Sequence, residues 1–317
     1  MKKIVSLNLA LILLTLCGCS TQSAQATQFL FDTVVTLKAQ CDEQTLNGAF
    51  LLCAEYEKLL SRSVESSDVA LLNASEGELE VSEHTTNIIE RSLYYSNLTD
   101  GKFDITVYPV SALWDFNGEV IPSKDEIAAA LQSVDYQSIA LNGNRVNLGG
   151  AKIALGGIAK GYIADRVREY FTEKGVKKGI IDLGGNIVVF GDEEYNVGIK
   201  KPFSQNEIAA SVKVKNMSVV TSGIYERYIE SDNKIYHHIL DTKTGYGVQT
   251  DLYSATIICE SSFDADALST VCMLEGLDRA RQIIESTPNA EAIFIDREQK
   301  LHYTSGLTRE GNSFVLQ

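Results

Sequence analysis

The stretch that decides the fold runs from Ala154 to Phe190 and opens Ala154-Leu155-Gly156-Gly157-Ile158-Ala159-Lys160-Gly161-Tyr162. Gly156-Gly157 precedes a helix that runs to about Lys174 and stops at Gly175, a residue suited to the left-handed backbone of a helix end. Gly179 to Phe190 then reads as strand, and within it Ile181-Asp182-Leu183-Gly184-Gly185-Asn186 is a strand running into a glycine turn. Upstream, Phe29 to Ala39 alternates like a strand, and Thr45 to Leu60 carries Leu46, Phe50, Cys53 and Leu60 on one helical face. Ser82 caps a further helix, and Ser123-Lys124-Asp125-Glu126 is a capping box opening a short one. Downstream, Tyr195 to Ile199, Ser211 to Val214 and Ser254 to Cys259 read as strands. A helical hairpin from Ala265 to about Glu285 follows, broken near Gly276, and Ala292 to Ile295 with Leu301 to Tyr303 suggests a terminal strand pair. Helices and strands mix without regular alternation, which favours a single α+β domain over a doubly wound sheet.

The chain has 317 residues, with 42 acidic against 28 basic side chains and a formal charge of −14. Nucleic acid is excluded as the main partner, because the basic stripe that a phosphate backbone requires is missing. A phosphate-bearing ligand has to be met locally, by amides, a metal or isolated cations. At the N-terminus, Lys2-Lys3 and an apolar run from Ile4 to Leu16 form a secretory signal too short for an ordinary membrane span. The run ends Leu16-Cys17-Gly18-Cys19, which resembles a bacterial lipoprotein signal. The expectation is a signal peptide over 1–18, lipidation (a palmitate-type anchor) at Cys19, a polar tether over 19–27, and one domain over 28–317. The protein is then held on the extracytoplasmic face of a bacterial membrane. Cys41, Cys53, Cys259 and Cys272 lack the spacing of a metal knuckle and read as buried free thiols.

Phosphate-loop, dinucleotide-fold and serine-elbow motifs are absent, and the four histidines lack zinc spacing. Five segments combine glycine, acid and hydroxyl residues. In Gly101-Lys102-Phe103-Asp104-Ile105-Thr106-Val107-Tyr108-Pro109 an acid and aromatics suit a heterocycle, although a turn and edge strand is the plainer reading. In the Gly156-Gly157 segment, amides at a helix start attract phosphate, and Lys160 stands where a structural helix prefers an acid. The Asp182-to-Asn186 turn is weak alone. Thr221-Ser222-Gly223-Ile224-Tyr225-Glu226-Arg227 leads to His237-His238-Ile239-Leu240-Asp241-Thr242-Lys243-Thr244-Gly245, where a histidine beside an acid suits a base. Asp266 and Thr270, four apart on a helix, present a hard-cation pair suited to Mg²⁺.

In order and wording these segments resemble the ApbE family, the FAD:protein FMN transferases, over nearly the whole chain from Phe31-Asp32-Thr33 to the terminal strands. The resemblance implies an α+β fold related to the tunnelling fold, with FAD in a cleft and Mg²⁺ on its diphosphate. It implies metal ligands Asp266, Thr270 and the Gly157 carbonyl. It implies flavin or adenosine contacts from Phe31, Asp32, Thr33, Phe103, Asp104, Ile105, Ala154, Lys160, Ser222 and the strand of His238 and Ile239, and catalysis by His238. FMN is then transferred to a threonine of a partner flavoprotein of the electron-transfer type. His238 either takes the hydroxyl proton or transiently holds the flavin phosphate. Hydrolysis of FAD to FMN and AMP, or flavin carriage without chemistry, are the alternatives. Ala154 stands where many members have Asp, Lys160 where some have Glu, and Thr242 where Pro is usual; the last is expected only to loosen a turn.

Overall fold

The computed structural model describes residues 23–317. The signal peptide and the Cys19 lipidation site lie outside those residues, as does the start of the tether. Eight strands form the central sheet: Ala24–Leu30 (β1), Thr33–Ala39 (β2), Gly179–Leu183 (β3), Asn186–Phe190 (β4), Ser218–Gly223 (β5), Leu252–Cys259 (β6), Ala290–Asp296 (β7) and Leu301–Tyr303 (β8). Their spatial order is their chain order, and every pairing is antiparallel. The helices used below are Glu43–Leu60 (α1), Ala159–Glu173 (α2), Ser262–Glu275 (α3) and Leu277–Glu285 (α4).

Strand alternation assigns the two faces of this sheet. On β6, Ala255, Ile257 and Cys259 join the helical core, whereas Ile258 points the other way. The second face packs on a four-stranded sheet that contains Tyr195–Lys200 and Ile208–Val214, through Val197, Val212 and Phe314. The sheet is therefore covered on both sides, a mixed α+β body with helices on one face and a smaller sheet on the other. Cys41, Cys53, Cys259 and Cys272 are buried free thiols. No helix among the described residues is long and apolar enough to cross a membrane.

The structure departs from the sequence expectations in four places. Phe29 to Ala39 is not one strand: Phe31 and Asp32 both take positive φ, 56° and 57°, and turn the chain into a β1–β2 hairpin. Such a two-residue turn needs two left-handed residues, so alternation alone conceals it when neither is glycine. Residues 24–27, expected in the tether, pair with β2 from Ala24↔Ala39 onward. The Gly101–Pro109 segment forms a 3-10 turn at Ile105–Val107 and a short helix at Tyr108–Ser111, not an edge strand. His238 and Ile239 follow, rather than occupy, the strand Lys234–His237.

Candidate functional site

Two helices carry the site, and their close packing is written in side chains. Asp165 on α2 accepts from the Ser262 and Phe263 amides at 3.2 and 3.0 Å, capping the first turn of α3 from outside. Gly161 brings the helices together: a Cβ there would stand 2.2 Å from the Ser262 carbonyl oxygen and 2.6 Å from Asp266 Cβ. The Gly161 amide, one of the orphan donors of the first turn of α2, donates to Asp266 Oδ2 at 2.8 Å. The start of α2 is thus not the open anion cradle that its glycines suggested. Its Ala159 amide is also taken, by the Leu155 carbonyl at 2.9 Å.

One helical turn beyond Asp266, Thr270 Oγ1 lies 3.4 Å from Ser222 Oγ at the end of β5, and Ser222 is 2.7 Å from Ser269 Oγ. A Cβ on Gly157 would be 3.7 Å from Thr270 Oγ1 and 3.6 Å from the Phe103 ring, so the expected metal residues and Phe103 share one spot. The Ala154 amide donates to the Ile105 carbonyl at 2.9 Å, tying the segment before α2 to the Phe103 turn. Thr33 is part of the same region, packed so tightly on the second glycine turn that a Cβ on Gly184 would fall 2.1 Å from its Oγ1. Asp182 Oδ1 accepts from the Gly184 and Gly185 amides of that turn at 3.0 and 3.3 Å.

Lys160 is the charge centre. Its ammonium is close enough to favour the ionised forms of Asp182, Glu226 and Asp266, and it also acts on His238. Burial raises Asp266 and Asp182 above the ordinary carboxylate range, whereas Glu226 stands exposed. His238 is held well below the usual imidazole value by its enclosed surroundings, with the Arg227 guanidinium adding to the effect. Its Nδ1 lies 3.2 Å from the Arg227 carbonyl oxygen, which can only accept, so Nδ1 carries the proton and Nε2 keeps its lone pair. The Phe116 ring stands edge-on to the imidazole at 6.4 Å between centroids.

Three expected residues serve differently from the sequence reading. Both Asp104 oxygens are engaged inside the fold: Oδ1 accepts from the Thr106 amide and hydroxyl at 2.7 Å, Oδ2 from the Tyr136 amide at 3.2 Å. Asp104 shapes the Phe103 turn and has its acceptors occupied. The Ile239 side chain is buried, while its carbonyl receives the Val248 amide. Thr242 does more than loosen a turn, since its hydroxyl donates to the Gly101 carbonyl at 2.8 Å and joins two loops of the site. Proline could not form that tie. A cavity of about 540 Å³ lies behind this tie, lined by Lys102, Asp241, Thr242 and Glu275 among others. It touches none of Asp266, Thr270 and His238, so the donor chemistry and not the hollow marks the site. Glu226 lay within a quoted segment and Ser269 just before Thr270, neither with a role in the sequence reading; only the folded proximity of β5, α3 and Lys160 singles them out. Among the described residues no cluster of three or more His, Cys, Asp or Glu side chains forms a metal cage. Asp266 is the single carboxylate in the expected set, so an ion here needs hydroxyl, carbonyl and ligand oxygens as well.

Comparisons with known proteins identify the relatives of this chain. The chain is 34% identical over 273 residues to an FAD:protein FMN transferase of Klebsiella pneumoniae, covering 83% of this chain and 86% of that one. It is 32% identical to one of Treponema pallidum, covering 83% and 80%. The crystal structure of the ApbE protein from Thermotoga maritima superposes with a TM-score of 0.81 at 29% identity, over 90% of this chain and 97% of that one. Residues 31–294 match the ApbE family throughout, and the chain belongs to that family.

Proposed function

We propose that this protein is a Mg²⁺-dependent FAD:protein FMN transferase. In this reading it cleaves FAD and leaves FMN attached by a phosphoester to a threonine of an extracytoplasmic partner protein. The observation that carries the reading is the convergence of Asp266, Thr270, Gly157 and Ser222 beside Lys160, whose charge also reaches His238. The donor set suits a hard cation: one buried carboxylate with an oxygen beyond its Gly161 bond, a hydroxyl and a backbone carbonyl. Electrostatics supports the same choice. Asp182 and Asp266 share Lys160 as their cationic neighbour, so a diphosphate entering this cleft would gain from added positive charge.

Asp266, Thr270 and the Gly157 carbonyl would hold the ion, which neutralises the diphosphate and makes AMP a better leaving group. Lys160 then has the phosphate oxygens as well as carboxylates for partners. His238 offers Nε2 to the reacting centre while its Nδ1–H on the Arg227 carbonyl fixes the ring. The acceptor threonine oxygen forms its bond to the FMN phosphorus as the bond to AMP breaks. Attachment to the membrane at Cys19 would set the enzyme beside acceptors on the extracytoplasmic face. The test incubates the protein with FAD and a flavin-accepting threonine protein, with Mg²⁺ or with chelator, and looks for flavin fluorescence on the denatured acceptor. Fluorescence only with Mg²⁺ is expected; labelling that survives chelation overturns the metal role, and no labelling overturns the transferase.

A further inference from the structure

Three hydroxyl groups meet where β5 runs onto α3, and their protons can be ordered. Strand alternation aims the first of them. Val220 joins the core under the helices, so Ser222, two residues on, projects from the same face of β5. Thr221 turns to the other face and meets Thr256 Oγ1 at 2.9 Å. Ser222 Oγ lies 2.7 Å from Ser269 Oγ and 3.4 Å from Thr270 Oγ1. Ser269 is fully buried and donates its hydroxyl to the Asp266 carbonyl at 2.8 Å. That donation uses its one proton, so in the 2.7 Å bond Ser269 accepts and Ser222 donates. Ser222 then has no proton left for Thr270, and the 3.4 Å contact runs from the Thr270 hydroxyl to the Ser222 oxygen. Among the described residues Thr270 Oγ1 has no other hydrogen-bond partner, and Thr270 is only half-buried, within reach of a ligand.

We propose that Ser222 is a positioning residue for the metal ion and not a contact to FAD: by accepting the Thr270 proton it leaves that hydroxyl's lone pairs for the space beside Gly157. The inference rests on the Mg²⁺ set of the transferase reading and deepens it. Gly157 borders Thr270 directly, since a Cβ there would stand 3.7 Å from Thr270 Oγ1. A hydroxyl ligates a hard cation through an oxygen lone pair, and one whose proton points at the ion repels it. A separation of 3.4 Å is long for O–H···O, so the contact aims the hydroxyl without drawing its oxygen away from an ion. The chain of hydroxyls ends on Asp266 itself, whose carbonyl fixes Ser269. One residue thereby offers a carboxylate oxygen to the ion and, through Ser269 and Ser222, sets the orientation of a second ligand. Partners behind the ligands typically matter about 10- to 100-fold in metal affinity. The same order of protons takes Ser222 out of the set that could donate to a phosphate oxygen, because its proton is held by Ser269.

The experiment measures Mg²⁺ binding by calorimetry with FAD present, and FAD binding in chelator by flavin fluorescence. It compares wild type, Ser222→Ala, Thr270→Val and the double variant. Ser222→Ala should weaken Mg²⁺ binding about tenfold, with FAD affinity in chelator within about twofold of wild type. Thr270→Val keeps the Asp266 carboxylate and the Gly157 carbonyl, so a weaker Mg²⁺ affinity stays measurable. In that background the hydroxyl to be aimed is gone, and adding Ser222→Ala should change Mg²⁺ affinity by less than about twofold. A merely structural role for Ser222 would weaken binding alike in both backgrounds, and that result overturns the proposal. Unchanged Mg²⁺ affinity in Ser222→Ala overturns it too. So does a loss of FAD affinity in chelator as large as the loss of Mg²⁺ affinity, which would make Ser222 a cofactor contact. Acceptor labelling is scored separately: if wild type binds Mg²⁺ and FAD yet labels no acceptor, the transferase reading falls, and the same four affinities still judge Ser222.

Discussion

Removing the Asp266 carboxylate takes an anionic ligand from the expected metal set and leaves the buried Gly161 amide without its acceptor. Asp266→Ala is therefore expected to cost about 1–3 kcal/mol of stability and to abolish Mg²⁺ binding in the presence of FAD. Calorimetry checks this, and unchanged binding rejects the metal role. The two adjacent histidines separate by surroundings. His238→Ala should lose at least about 100-fold in transfer with FAD still bound. His237 is only 3% exposed, with Nε2 against the Val248 carbonyl at 3.2 Å and the Gly247 backbone against its ring, so its truncation acts on stability. Burial holds His237 neutral, down to about 4. Its unfolded value is higher, so the unfolded chain binds the extra proton and stability falls as pH drops from about 6.5 towards 4. Thermal melts of wild type and His237→Gln across that window check the sign: the variant should show the shallower decline. At Lys160, replacement by Glu places a fourth carboxylate beside Asp182, Glu226 and Asp266. Lys160→Glu should weaken FAD binding more than Lys160→Gln in a fluorescence titration, and equal affinities would place the charge centre elsewhere.

At the scale of elements, the packing of α2 on α3 sets the geometry of the site. Gly161→Ala forces a methyl onto the Ser262 carbonyl and the Asp266 side chain, and backbone oxygen cannot yield as a flexible side chain does. The expected outcome is a loss of about 1–3 kcal/mol in denaturant unfolding together with weaker Mg²⁺ binding; a variant as stable as wild type would show that the helices can separate. Most of these elements were legible in the sequence because local signals specify them. Ser82 and Ser123 cap their helices, and Gly175 and Gly276 mark helix ends at φ 75° and 76°. The Phe31-Asp32 turn was not legible, since its left-handed residues carry side chains and the flanking alternation runs through it. The strands Tyr228–Ser231 and Lys234–His237 also escaped, being short and joined by the non-glycine turn Asp232-Asn233. The site was legible as motifs but not as partners. Asp104 looked as available as Asp266, and only the fold shows Thr106 and Tyr136 occupying it.

For the whole molecule, a formal charge of −14 and a cleft in which Asp182 and Asp266 share Lys160 mean that added positive charge would favour the binding of a dinucleotide. The eight-stranded sheet, covered on both faces, supplies the rigid frame: β5 brings Ser222 to α3, and the β1–β2 hairpin brings Thr33 to the Gly184 turn. The chemistry claimed for that frame predicts a fixed stoichiometry. With FAD, Mg²⁺ and a threonine acceptor, AMP released and flavin bound covalently to the acceptor are measured together over the time course. One AMP for each protein-bound flavin, with neither formed in chelator, is the predicted result. AMP accumulating well ahead of bound flavin, or no AMP at all, would contradict the account.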